Sequence, residues 1–148
     1  TNDREQRPGA DMTWSLYTQY TAASRAIEAI IALFALFWAA WVTSLIGSGL
    51  SPMSWAGFDQ AGQVALPSIM FCMGALHVTG MRLLNSYPRK AAASRFVGLS
   101  GMVIVFLWLG YCGFWSSAGP TYFTFAIACA VAMINAGKDF KYARHFAD

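Results

Sequence analysis

The sequence predicts an all-α integral membrane protein: a four-helix bundle with both termini in the cytoplasm and an N-terminal helix lying along the interface. Three observations lead there. Hydrophobic residues make up 57% of the 148 and charged residues only 11%. A soluble domain carries about 25% charged residues, so the polar surface of a water-facing globule is missing, and so much hydrophobicity also excludes intrinsic disorder. Four apolar stretches reach or approach the ~20 residues that a helix needs to cross ~30 Å of hydrocarbon. All ten Lys and Arg residues fall on one side of those stretches.

Residues 1–25 form a polar N-terminal segment without the apolar core of a cleavable signal peptide, which leaves membrane insertion to the first hydrophobic helix. Within it, Asp11–Arg25 (DMTWSLYTQYTAASR) reads as an interfacial helix that then turns into the membrane, with Asp11 as N-cap and Trp14, Tyr17 and Thr21 on one side. A polar leader ordered against neighbouring loops is the plainer alternative. The membrane domain spans 26–136, and 137–148 is a basic cytoplasmic tail.

The first span is Ala26–Ile46 (AIEAIIALFALFWAAWVTSLI), stopped by Gly47, Gly49 and Pro52. The second is Val64–Leu84, where Pro67 sits in the first turn and costs little because its missing N–H would be unpaired there anyway. The third is Phe96–Trp115, and Gly119-Pro120 separates it from a short fourth, Tyr122–Ala136, which can recruit Pro120 and Thr121 at its start. Barrel strands would alternate in and out over about ten residues, whereas these runs are continuous.

Orientation follows from the cations. Arg4, Arg7 and Arg25 precede the first span; Arg82, Arg89, Lys90 and Arg95 lie in the loop between the second and third; Lys138, Lys141 and Arg144 follow the fourth. The other two connections carry one charge, Asp59. The positive-inside rule then puts the termini and the middle loop in the cytoplasm. Aromatic side chains agree, with Trp41, Trp55, Trp115 and Tyr122 near the outer interface and Trp14, Tyr17, Tyr20, Tyr87 and Tyr142 near the inner one.

Ionisable residues inside a span are functional candidates by default. His77 is the one titratable side chain deep in a span, in line with Met70, Met73 and Met81 at helical spacing. His77, Met73 and Met81 would suit a soft metal such as Cu(I), and His77 a haem iron. A second membrane His for haem is missing, since His145 lies in the tail, and Met is an ordinary gap filler. The plainer reading is a neutral His77, hydrogen-bonded to a neighbouring helix or lining a pore, with no metal and no cofactor. Glu28 reads as an i, i+3 partner of Arg25 at the cytoplasmic interface, with a proton-relay carboxylate as the sharper alternative. Arg82, Arg89, Lys90 and Arg95 read as contacts to anionic lipid headgroups rather than to nucleic acid. Cys72, Cys112 and Cys129 stand in apolar runs without a CxxC pair and read as packing residues. No nucleophile elbow, HExxH, phosphate-binding glycine loop or pair of mid-membrane carboxylates is present, so an enzyme is not expected.

Packing signals remain. Ala128, Ala132 and Ala136 form a small-residue stripe on the fourth helix; Ala35 with Ala39, and Ser94 with Gly98, do the same on the first and third. Phe34, Phe37, Trp38, Phe106 and Trp108 are expected to face lipid or a partner subunit.

From Trp41 to Asn135 the features run in a definite order: a Trp-ending span, Trp55 in the outer loop, the basic turn YPRKAAASR (Tyr87–Arg95), FLW at Phe106–Trp108, a Gly119-Pro120 turn and an Ala-rich last helix. This layout resembles a group of small phage-encoded inner-membrane proteins of holin-like type, over about two-thirds of the chain and without a diagnostic motif. The resemblance implies a non-enzymatic protein that accumulates, self-associates and permeabilises the bilayer. The long N-terminal segment and the number of spans depart from that pattern. Other expectations fit the same residues: an accessory subunit of a larger respiratory, photosynthetic or secretory complex, or an immunity or exclusion protein. The expected partners are therefore the bilayer, anionic lipids, and either further copies of the chain or other membrane subunits.

Overall fold

The computed structural model describes residues 8–52, 57–84, 86–116 and 118–145, with side chains from Ala23 to Lys141. It holds four helices, α1 (Pro8–Gly47), α2 (Gln60–Arg82), α3 (Pro88–Cys112) and α4 (Ala118–His145), and no strand among the described residues. Each contains a stretch long and apolar enough to cross a membrane: Ala23–Gly47, Gln60–Arg82, Pro88–Cys112 and Ala118–Lys141. Each helix packs on its neighbours in sequence, and α1 also meets α4, so the bundle closes. Contacts join the middle of α1 to the end of α2 and the start of α3, and the start of α3 to the end of α4, which makes the four spans run up and down.

Several boundaries differ from the sequence expectation. α1 is continuous from Pro8 to Gly47: Asp11 lies inside it rather than capping it, and no turn separates Asp11–Arg25 from the span. α3 starts at Pro88, because a proline in the first turn is already set for helix and the alanines behind it favour one. The basic turn expected there is therefore the opening of a helix, and Arg95 lies two turns inside it. Gly119-Pro120 belongs to the first turn of α4, and the tail continues that helix to His145. α2 opens on Asp59, whose carboxylate accepts the Gly62 N–H at 2.8 Å. Trp55 and the side chains of Trp14, Tyr17, Tyr20 and Tyr142 lie outside the described residues.

The inward faces follow helical spacing. Ile31, Ala35, Trp38 and Val42 bury from α1; Pro67, Met70, Gly74 and His77 from α2; Leu99, Met102, Phe106 and Leu109 from α3; Ala126, Cys129, Ala132 and Ala136 from α4. Large residues on α1 and α3 thus meet small ones on α4. This corrects part of the aromatic expectation. Phe106 and Trp38 are buried, and Phe34 stacks on Phe125 with ring centroids 3.8 Å apart. Phe34, Phe106 and Phe125 thus form an aromatic cluster inside the bundle. Phe37 and Trp108 do face outward, at 72% and 51% exposure.

Candidate functional site

At the end of the bundle where the apolar span of α1 and helix α3 begin, each helix contributes one ionisable side chain to a cluster: Glu28 from α1, His77 from α2, Arg95 from α3 and Asp139 from α4. At 1.5 Å rise per residue, Glu28 lies about 8 Å inside its span, His77 about 8 Å and Arg95 about 10 Å, with Asp139 nearer the edge. Glu28 and His77 are fully buried and Arg95 is 2% exposed, while the Asp139 side chain is 41% exposed.

Local sequence places each of them. Arg95 lies four residues after Ala91 and three before Gly98, on the face of α3 that meets α2. At Gly80 a Cβ would stand 2.8 Å from the Ala91 carbonyl oxygen and 2.8 Å from Arg95 Cγ; at Gly98 it would stand 2.7 Å from the Met73 carbonyl oxygen. Two missing side chains thus let the α2 and α3 backbones approach, and the Arg95 stem passes through the gap at Gly80. The Ser94 hydroxyl donates to the Leu76 carbonyl at 2.7 Å across the same interface. Such close contact through small and polar residues is how helices associate where lipid offers no hydrophobic drive.

The Arg95 guanidinium forks. Nε donates to Glu28 Oε2 at 2.8 Å and Nη2 to Glu28 Oε1 at 2.5 Å, while Nη1 donates to Asp139 Oδ2 at 2.8 Å. One planar cation holds both oxygens of one carboxylate and one of another, a geometry that a lysine ammonium cannot match. His77 Nε2 is 3.6 Å from Glu28 Oε2, beyond hydrogen-bonding distance, and neither ring nitrogen has a hydrogen-bond partner.

Three sequence expectations are corrected here. Glu28 pairs with Arg95 rather than with Arg25, which is exposed. Arg95 is occupied inside the bundle and is not a headgroup contact; Arg82, Arg89 and Lys90 are exposed at the bundle end, with Lys90 Nζ 5.2 Å from the Tyr87 ring centroid. The hydrogen bond expected of His77 is absent. For Glu28 and Arg95 the cause is desolvation: a charge inside a span is stabilised only by an opposite charge, however distant in sequence.

The remaining candidates are placed as follows. Met73 and Met81 are half-buried, and the Met73 thioether lies against Gly101. Among the described residues, no group of three or more His, Cys, Asp or Glu side chains is placed to hold a metal ion. Ala35, Ala39, Ala132 and Ala136 are buried, Ala128 is half-buried, and Ser94 and Gly98 lie in the α2–α3 contact. Gly80 was missed by the sequence reading, although a glycine three residues after a buried His is a legible mark of close approach. The outward hydroxyls of Thr43, Ser68, Thr79 and Thr124 each donate to the carbonyl four residues back on their own helix. At the opposite end of the bundle, a cleft of about 500 Å³ opens between α1 and the α3–α4 turn, where Trp38 Nε1 donates to the Tyr122 hydroxyl at 3.4 Å.

No family model, curated protein or solved structure matches the chain. The functional reading therefore rests on the residues and their geometry.

Proposed function

We propose that the protein is a non-enzymatic, multi-pass protein of a bacterial inner membrane that acts by helix–helix association in the bilayer. One observation carries this reading: the buried acidic and basic side chains pair with one another inside the bundle, while the outward faces of the spans are large and apolar. What the molecule mainly offers to its surroundings is therefore apolar helix surface. Ten cations on one side support an arrangement with both termini in the cytoplasm. Exposed Arg82, Arg89 and Lys90 suit anionic headgroups there.

Two uses of that surface are distinguishable. Holin-like self-assembly accords with the layout of spans and turns, and the accessory-subunit reading is favoured by a specific feature. The outward hydroxyls are already bonded to their own helices, so little free polar surface is left to line a lesion. The experiment is induced expression followed by purification in mild detergent. Holin-like self-assembly is expected to give a homo-oligomer and an abrupt collapse of membrane potential. An accessory subunit is expected to bring down stoichiometric partners without harm to the cell. A monomer that causes no permeabilisation and carries no partner would overturn the association reading.

A further inference from the structure

The geometry points to a proton-binding site at His77, in which the imidazole takes up one proton from water and thereby neutralises the four-helix charge cluster. The argument starts from charge. Arg95 bridges Glu28 and Asp139, so the cluster holds two carboxylates to one cation, the second carboxylate being the water-accessible Asp139. Glu28 itself is fully buried, where low dielectric leaves its field on a neighbouring group little screened. The fourth member is a base. His77 is fully buried, its Nε2 is 3.6 Å from Glu28 Oε2, and both nitrogens lack hydrogen-bond partners. A buried side chain with two unsatisfied polar atoms is unusual.

Proton uptake places a cation beside the buried Glu28 carboxylate. The proton adds to the nitrogen that carries none, and no bond in the protein breaks. The imidazolium then has two N–H donors, one of them beside the Glu28 carboxylate, and the cluster's charges sum to zero. The groups facing His77 are Glu28 from α1 and Arg95 from α3, with Asp139 of α4 behind Arg95. The other cations on the described side chains, Arg25, Arg82, Arg89, Lys90, Lys138 and Lys141, are all exposed. Burial of the ring and the Arg95 charge both oppose protonation, and the Glu28 carboxylate beside Nε2 favours it, with the Arg95 charge already engaged by two carboxylates. Asp139, 41% exposed, opens the cluster towards water at the bundle end. His77 is the one group here whose ordinary titration lies near physiological pH. The site stands independently of the association reading.

The test is nitrogen NMR of the full chain in lipid bilayers, labelled at histidine. The chain has two His residues, so the His145→Gln variant isolates His77. Acidification from about pH 8 to about pH 5 is expected to convert the neutral ring to imidazolium. In Glu28→Gln the imidazolium fraction at a given mildly acidic pH is expected to fall roughly tenfold, and in Asp139→Asn by less. A ring that stays neutral to about pH 5, or one that titrates identically in Glu28→Gln, would overturn the proposal. Should Glu28→Gln fail to fold, Asp139→Asn decides by the same criterion, because it removes one negative charge at the exposed end of the cluster.

Discussion

Arg95 illustrates how a buried charge constrains its neighbours. Truncating it to Met leaves Glu28 fully buried without a cation, and breaking one side of such a pair costs about 3–5 kcal/mol. Replacing both, as Glu28→Met with Arg95→Met, removes the buried anion together with the cation. Asp139 is then left with a carboxylate that water can reach. The double variant is therefore expected to recover most of the loss, and Asp139→Asn alone to cost about 1 kcal/mol or less. Reversible unfolding in mixed detergent micelles measures the three variants against the parent chain; a double variant no more stable than Arg95→Met would refute the pairing. The sequence disclosed the ionisable residues but not their partnership. Glu28 and Arg95 are 67 residues apart, and each has a plausible local explanation, Arg25 for one and a basic turn for the other. The usable signal was the face that Arg95 shares with Ala91 and Gly98: a cation in a stripe of small residues points towards a neighbouring helix, not towards headgroups.

At the scale of the helix, the spans were legible because hydropathy over about 20 residues responds to a single strong force, the exclusion of polar backbone from hydrocarbon. Their ends were less legible. Pro88 reads as part of a basic turn, yet it stands in the first turn of a helix, where it is tolerated. Pair contacts were less legible still, since small residues occur on several faces and only some meet another backbone. Gly98 and Gly137 separate these cases. A Cβ at 98 would lie 2.7 Å from the Met73 carbonyl oxygen and 3.0 Å from the His77 backbone nitrogen, whereas at 137 it would meet only the Phe96 ring at 3.7 Å. Gly98→Ala is expected to push α2 from α3 and cost about 1–3 kcal/mol. Gly137→Ala is expected to be neutral or to stabilise by up to about 1 kcal/mol through helix propensity. The same unfolding measurement checks both, and equal effects would show that the α2–α3 approach is not tight.

For the whole molecule, the charge cluster and the cation distribution bear on the same question, which way the bundle lies. Glu28, His77, Arg95 and Asp139 lie at the end where the apolar span of α1 and helix α3 begin, the end that also carries Arg82, Arg89 and Lys90. If the positive-inside rule governs insertion, that end faces the cytoplasm, and the proton site communicates with cytoplasmic rather than external water. Two exposed positions decide it. Ser51 follows α1 at the far end, and Lys90 lies in the first turn of α3 at the near end. With Cys72, Cys112 and Cys129 replaced by Ala, Ser51→Cys is expected to react with a membrane-impermeant maleimide in intact cells, and Lys90→Cys only after permeabilisation. The reverse pattern would turn the bundle over and move headgroup contacts and cluster to the outer leaflet. Glu28 and Arg95 would still pair, because their bond depends on burial and not on the side from which the chain was inserted. The labelling thus tests orientation separately from the fold, and its outcome determines which compartment's pH the cluster would sense.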